Sequence, residues 1–500
     1  MLTTRHLAAV ALACLAVSIV AVPVTSAQTA PPPYSEPALK PEVTQRIQRV
    51  ENGLVGPVVI KGAPNATHNL ADRMKELNVP GVSVAVIHNG EIEWARGYGF
   101  ARVGGPPVTP DTMFQAGSIS KPVATMAALR LVEQGKLSLD ADINTELKSW
   151  KLPADPVQAG KPVTLRELLT HTGGTTVHGF PGYAQNEPVP TLVQVLNGEK
   201  PANTPAIRSE AAPMARWNYS GGGFTIMQQA VIDVTGEPFP KLLHDTVLAP
   251  IGMTHSTYEQ PLGSEFAALA ATPYRGDGKP VEGGAHTYPE MAAAGLWTTP
   301  TDIARYAIEV ENSLLGKANH VLSADMTKQM LTPGMGDWGL GLEIGGAADN
   351  QYFSHGGVNE GFINIFAAYD KSGEGAVVMT NSDSGGQIGE EIMHSIATEY
   401  NWPDWHSIVR TAVMVDPKIL PQYAGTYVLA PNTDLVITVE NGQLTAQVTG
   451  QGKNLLFAES ETKFFPTEIP AEIEFVKDAD GKVTALILHN SGHDRKIPKK

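Results

Sequence analysis

The stretch that most restricts what this chain can become is Phe114-Gln115-Ala116-Gly117-Ser118-Ile119-Ser120-Lys121-Pro122. It runs into Val123, Ala124, Met126, Ala127, Ala128, Leu129, Leu131 and Val132, is interrupted by Arg130, Glu133 and Gln134, and stops at Gly135. A helix this apolar is buried on most of its circumference. Pro122 is tolerated because the N–H groups of a first helical turn have no intrahelical acceptor. Ser118 and Lys121 therefore stand at the N-terminal rim of a buried helix, three residues apart and on one face. A serine hydroxyl is a useful nucleophile only when a base takes its proton. A lysine among apolar walls and beside a helix N-terminus has its ammonium form disfavoured, which suits it to be that base. The same helix start aims backbone N–H groups at any oxyanion forming beside Ser118. A second copy of the spacing, Ser460-Glu461-Thr462-Lys463, lies in a polar, strand-rich stretch with no apolar helix after it, and reads as a surface turn.

The N-terminus bounds the compartment. Met1 to Ala27 reads as a secretory signal peptide, with Arg5 and His6 before an apolar Leu7–Val22 run and Thr25-Ser26-Ala27 as a small-residue cleavage site. The run is short for a membrane anchor, so no stable membrane insertion is expected after its removal. The one cysteine, Cys14, lies inside it; Leu12-Ala13-Cys14 keeps a lipoprotein site open, but removal with the signal is the expectation. The mature chain then has no thiol for disulfides or thiolate–metal sites. It keeps 35 Lys and Arg against 51 Asp and Glu, a net charge of −16, which argues against nucleic-acid partners. The 14 histidines show no metal-ligand spacing, so neither metal nor cofactor is expected. The protein is read as exported, to the periplasm or the medium; its oligomeric state is open.

Residues 28–62, with Pro31-Pro32-Pro33, Pro37 and Pro41, read as a linker or extended arm. A short amphipathic helix is expected over 68–77, then a β-hairpin in which Val82–His88 and Glu91–Gly97 flank Asn89-Gly90. From 139 to about 310 the chain is mainly helical, with Thr164 and Glu167 forming a capping box and Gly236 closing a helix over 224–234. Strands return at 352–354, 362–369 and 375–380, followed by a helix over 386–399. The terminal strands of this region are expected to pair into one antiparallel sheet with helices on both faces. After a connector at 403–414, short alternating strands with turns such as Asn441-Gly442 point to a small β-barrel over 415–500.

Two further stretches complete a constellation. Arg216-Trp217-Asn218-Tyr219-Ser220-Gly221-Gly222-Gly223 sets a tyrosine in a glycine-rich loop before a helix, and Phe353-Ser354-His355-Gly356-Gly357-Val358 sets a histidine between a strand and an open turn. Ser-x-x-Lys, then the tyrosine motif, then His-Gly-Gly resembles the serine β-lactamase and penicillin-binding-protein family. The similar group is the class C-like one that includes esterases, D-aminopeptidases and DD-peptidase-like enzymes. Val79–Val86, Leu168–Gly174 and Ala293–Asp302 also resemble that family, and coverage runs from about 68 to 402. The resemblance implies an α+β fold: a β-lactamase/transpeptidase-like sandwich over 63–402, with antiparallel sheet, flanking helices and helical insertion, and a lipocalin-like barrel after it.

It also implies roles: Ser118 as nucleophile, Lys121 as base or base partner, and Tyr219 as phenolate or proton relay with its pKa lowered by the Lys121 cation. His355 stands where the family has lysine, Gly356 and Gly357 let substrate backbone approach, and the N–H groups of Ser118 and Val358 form the oxyanion hole. The family's asparagine two residues after the tyrosine is here Gly221. Both departures argue against an efficient β-lactamase. His171 and His178 are expected near the site in structural roles. The leading expectation is an exported serine hydrolase forming an acyl-enzyme on a small ester or peptide-like amide. The alternatives are a DD-peptidase or β-lactamase, and a catalytically silent binding protein on the same fold. The barrel is expected to stabilise the hydrolase domain.

Overall fold

A computed structural model of the protein describes residues 39–64, 67–430, 433–490 and 493–500. The expected signal peptide, Cys14 and the prolines at 31–33 and 37 lie outside these residues. The described chain opens with helix α1 (Pro41–Asn52), strand β1 (Val58–Ile60), helix α2 (Leu70–Glu76) and the hairpin β2 (Gly81–His88) and β3 (Glu91–Gly99). Asn89 and Gly90 both have positive φ, 56° and 76°, which the two-residue turn between right-twisted strands requires. Helices α3 (Ser120–Glu133), α4 (Gly221–Thr235) and α5 (Pro300–Leu314) follow, with shorter helices and long loops between them. Then come β4 (Glu343–Gly345), β5 (Tyr352–Asn359), β6 (Phe362–Tyr369), β7 (Gly375–Thr380), helix α6 (Gly385–Glu399) and β8 (Ile408–Arg410).

Six strands form one sheet in the order β3-β2-β7-β6-β5-β4, all neighbours antiparallel. The first and last thirds of the domain thus meet at the β2–β7 pair, and everything from α3 to α5 is inserted between them. Alternation assigns the faces. Ala85, Ile87, Phe362 and Phe366 join the core that holds α3 and α5, whereas Val82, Val84, Val86 and Val378 join the core under α1 and α6. With helices on both faces, β2 is buried along nearly its whole length. This is the α+β sandwich with helical insertion that was expected.

The arm differs from its expectation. Residues 41–52 form α1 rather than linker, with Val43, Ile47 and Val50 buried against α6. Proline density argues for an extended chain, but Pro41 occupies the helix start, where a missing N–H costs nothing, and tertiary burial supplies the stability. Beyond it, β1 pairs in parallel with β8, so three residues of the expected connector are sheet.

The last domain is a meander of eight strands, β9 (Gly425–Ala430), β10 (Thr433–Glu440), β11 (Gln443–Val448), β12 (Lys453–Ala458), β13 (Lys463–Phe465), β14 (Ala471–Lys477), β15 (Val483–Asn490) and β16 (His493–Pro498). A Tyr427–Lys499 bridge and a 2.8 Å bond from Lys500 N to Thr426 O bring the last strand to the first, so the barrel is nearly closed. Ser460 caps the turn before β13 through Thr462 N and Lys463 N, as a surface Ser-x-x-Lys should. The barrel is fastened to the sandwich by ion pairs. Arg73 grips the fully buried Glu391 of α6 at 2.6 and 2.8 Å and also meets Glu468 at 3.0 Å, while Arg410 meets Glu472 at 2.7 Å.

Candidate active site

Ser118 sits in a 3-10 turn, Gly117–Ile119, immediately ahead of α3. Buried bonds hold this turn. Ser120 Oγ donates to Gly117 O at 2.6 Å and accepts from Leu296 N at 2.9 Å, and Tyr258 Oη donates to Ser120 O at 2.6 Å. The turn lies directly on β5. A Cβ at Gly117, where φ is +55°, would stand 2.4 Å from Val358 N, and one at Gly357 would stand 1.9 Å from Ala116 O. Glycine at both positions is what lets the backbones of Ser118 and Val358 approach. Gly357 therefore has a packing reason to be glycine, and it also lines the cavity beside Ser118. Gly356 is different: it is exposed, and its missing Cβ would meet only Asn364 O, at 3.9 Å.

Lys121 points back along the helix to Ser118, as three-residue spacing allows. Its Nζ donates to Ser118 Oγ at 2.9 Å and to Ala293 O at 2.8 Å, with the side chain 2% exposed. Burial lowers its pKa from the ordinary lysine value to about 7. Tyr219 shares a hydrogen bond with Ser118, and its ring lies 4.9 Å from Lys121 Nζ. Burial raises the Tyr219 pKa, and the bond to Ser118 offsets this only in part. The expected lowering by a lysine cation is thus corrected: the ammonium is itself disfavoured here, burial dominates, and the phenol keeps its proton.

His355 is buried, and its pKa is lowered to about 3 by desolvation and by the nearby Lys121. Its Nδ1 carries the proton, because the partner at 2.5 Å is the Gly356 carbonyl, which only accepts. Nε2 is left as a buried lone pair with no partner among the described residues. The ring lies 6.3 Å from Tyr219 and 5.5 Å from Trp338.

The tyrosine loop is held by groups of which only part was legible. His171 stacks on Tyr219 at 4.2 Å and accepts the Ser220 N–H on Nδ1 at 3.0 Å, and His178 Nδ1 bonds the Tyr219 carbonyl. Both histidines thus hold backbone and ring in place, the structural role expected for them. Trp217 and Trp338, not singled out from sequence, complete an aromatic box around His171. Trp217 stands in the quoted tyrosine stretch with no role read for it and no motif marks Trp338; only the fold brings the two together. Gly221 stands where a Cβ would come 2.8 Å from the Phe180 ring, so Phe180 occupies the room an asparagine would need. A cavity of about 420 Å³ opens beside Ser118, Tyr219, Trp338 and His355.

The arrangement suits acyl transfer: a hydroxyl in contact with a near-neutral amine and a protonated phenol, beside a strand edge. Comparisons with known proteins agree. The profile of the family described as Beta-lactamase matches residues 66–397, and that of a domain of unknown function, DUF3471, matches 409–498. A putative penicillin-binding protein, PbpX, of Bacillus subtilis is 28% identical over 329 residues, 64% of this chain and 75% of its own length. The esterase EstB of Burkholderia gladioli is 28% identical over 214 residues, 41% of this chain and 53% of its own. The solved octameric penicillin-binding protein homologue from Pyrococcus abyssi superposes with a TM-score of 0.58 at 22% identity, over 85% of this chain and 97% of that one.

Proposed function

The chain belongs to the beta-lactamase family, and from that premise we propose that it is an exported serine hydrolase turning over small, uncharged esters through an acyl-enzyme on Ser118. The observation that carries this reading is the 2.9 Å contact between Ser118 Oγ and a buried Lys121 whose pKa is about 7. An amine of that pKa is free base for much of the population at neutral pH, and so takes the Ser118 proton as Oγ attacks the carbonyl carbon. The carbonyl oxygen becomes an oxyanion facing the N–H groups of Ser118 and Val358. As the tetrahedral carbon collapses, the bond to the leaving alcohol breaks and the alcohol takes a proton from Tyr219, which Lys121 replenishes. Water then adds to the acyl carbon by the reverse relay, the C–Oγ bond breaks, and Ser118 recovers its proton.

The preference for uncharged esters rests on His355. Its Nε2 offers a lone pair where a cation would be needed to hold a carboxylate, as in penicillins and C-terminal peptides. The esterase among the relatives supports the same preference. Export rests on the Met1–Ala27 pattern.

The test is intact mass after brief exposure to a fluorophosphonate, with p-nitrophenyl acetate turnover, on the mature protein and on Ser118→Ala. One adduct and turnover that both vanish in the variant are expected. Retained turnover in Ser118→Ala ends the proposal, and rapid penicillin hydrolysis by the wild type would overturn the uncharged-ester part.

A further inference from the structure

The cavity beside Ser118 does not stop at the reacting groups. Past Gly356 it continues between the sheet and α6, where Ile363, Ile365 and Val378 form one wall and Gly385, Gly386 and Gly389 the other. This is the other face of the sheet. Gly357 faces the serine turn, so Gly356 faces away from it, and Gly356 is paired with Ile365 across β5 and β6. The groove is therefore reached over the strand edge at Gly356, which places no side chain in its mouth.

Three glycines on this path have no local reason to be glycine. None of Gly356, Gly386 and Gly389 has positive φ. A Cβ on them would come no closer than 3.9, 3.8 and 3.7 Å to any neighbour, ordinary contact distances. Gly389 lies in the second turn of α6, where alanine would make a more stable helix. Gly385 is the contrast: its Cβ would stand 1.8 Å from Thr380 Oγ1, so packing alone demands glycine. Longer side chains at 386 and 389 would fill the groove against Ile363 and Ile365, whose methyl groups are the nearest neighbours. Among the described residues the cavity lining contains no lysine or arginine, and the exposed Glu390 carboxyl at its rim adds negative charge. An anionic group is disfavoured there and an apolar one is favoured.

We propose that the groove between β6 and α6 binds the uncharged, apolar chain of the substrate ester, with Gly356, Gly386 and Gly389 holding it open. This rests on the ester reading above. The chain belongs either to the acyl group or to the alcohol, and two substrate series separate the sources: p-nitrophenyl acetate to octanoate, and ethyl to octyl acetate. In one series kcat/KM is expected to rise by about fourfold per methylene, the transfer value for one buried CH₂, until the groove is full. Gly389→Leu is expected to lower the long-to-short ratio of kcat/KM at least tenfold, and Gly389→Ala to lower it less while keeping or raising the thermal midpoint.

Flat profiles in both series overturn the proposal. So does a long-to-short ratio that neither variant moves, in protein whose circular dichroism matches the wild type. Ser118→Ala keeps the two readings apart. If it abolishes turnover while the profiles are flat, the groove fails and the hydrolase stands; if turnover persists, the site reading fails and the groove with it.

Discussion

Replacing Lys121 by methionine should make the enzyme inactive and, at neutral pH, more stable. The lysine pKa falls from 10.5 to about 7 in the fold, and at 1.36 kcal/mol per unit the folded state disfavours the ammonium by about 5 kcal/mol. Below pH 7 both folded and unfolded chains are protonated and the cost is complete. Between pH 7 and 10.5 only the unfolded chain carries the proton, so the cost shrinks by about 1.4 kcal/mol per pH unit, and it is gone above 10.5. Methionine removes the cost but also the bonds to Ser118 and Ala293, together about 2–3 kcal/mol with the carbonyl left unpaired. Lys121→Met is then expected to be about 2–3 kcal/mol more stable than wild type at pH 6.5 and about 1 kcal/mol less stable at pH 9.5. Urea titration followed by tryptophan fluorescence reads the right domain, since all 7 tryptophans precede residue 406. A stability difference that stays constant from pH 7 to 9.5 would refute a depressed lysine pKa, and with it the assignment of Lys121 as base. In the wild type, kcat/KM should rise with pH through about 7, and His355, already neutral above about 3, should add no second step.

Tyr219→Phe keeps the ring on His171 but removes the hydroxyl bonded to Ser118; kcat/KM is expected to fall by roughly 10²–10⁴ with the urea midpoint nearly unchanged. A large loss of stability instead would make the phenol a structural bond rather than a relay. Arg73→Met leaves the Glu391 carboxylate buried without its partner and is expected to cost about 3–5 kcal/mol, whereas Glu468→Gln, acting on a half-exposed pair, should cost under about 1 kcal/mol. Equal effects in urea titration would show that the barrel contact, not the buried pair, carries this joint. Gly221→Asn should destabilise by about 1–3 kcal/mol because its Cβ meets Phe180, and Phe180→Ala in the same chain should recover part of that loss; additive losses would mean the two residues do not compete for space.

What was legible in the sequence follows from how locally each feature is encoded. The hairpin at Asn89-Gly90 and the capping box at Thr164 and Glu167 are set within a few residues, and both are present. The constellation of Ser118, Lys121, Tyr219 and His355 was legible because each side chain sits in a short motif whose order matches a known family. Helix α1 was not, because its evidence is a stripe of three residues whose partner surface on α6 lies about 350 positions away. The last strand, β16, has a charged sequence without alternation and exists because β15 leaves it an edge to pair with, while Lys499 and Lys500 just beyond it reach β9. The glycines show the limit most clearly. Gly117, Gly356, Gly357, Gly385, Gly386 and Gly389 look alike in a sequence, yet a Cβ would strike backbone or a buried hydroxyl at 117, 357 and 385 and would make only ordinary contacts at the other three. The first set answers to the fold, which tolerates nothing larger. The second answers to whatever enters the cavity, because a folded chain alone gains by filling a void beside its own helix.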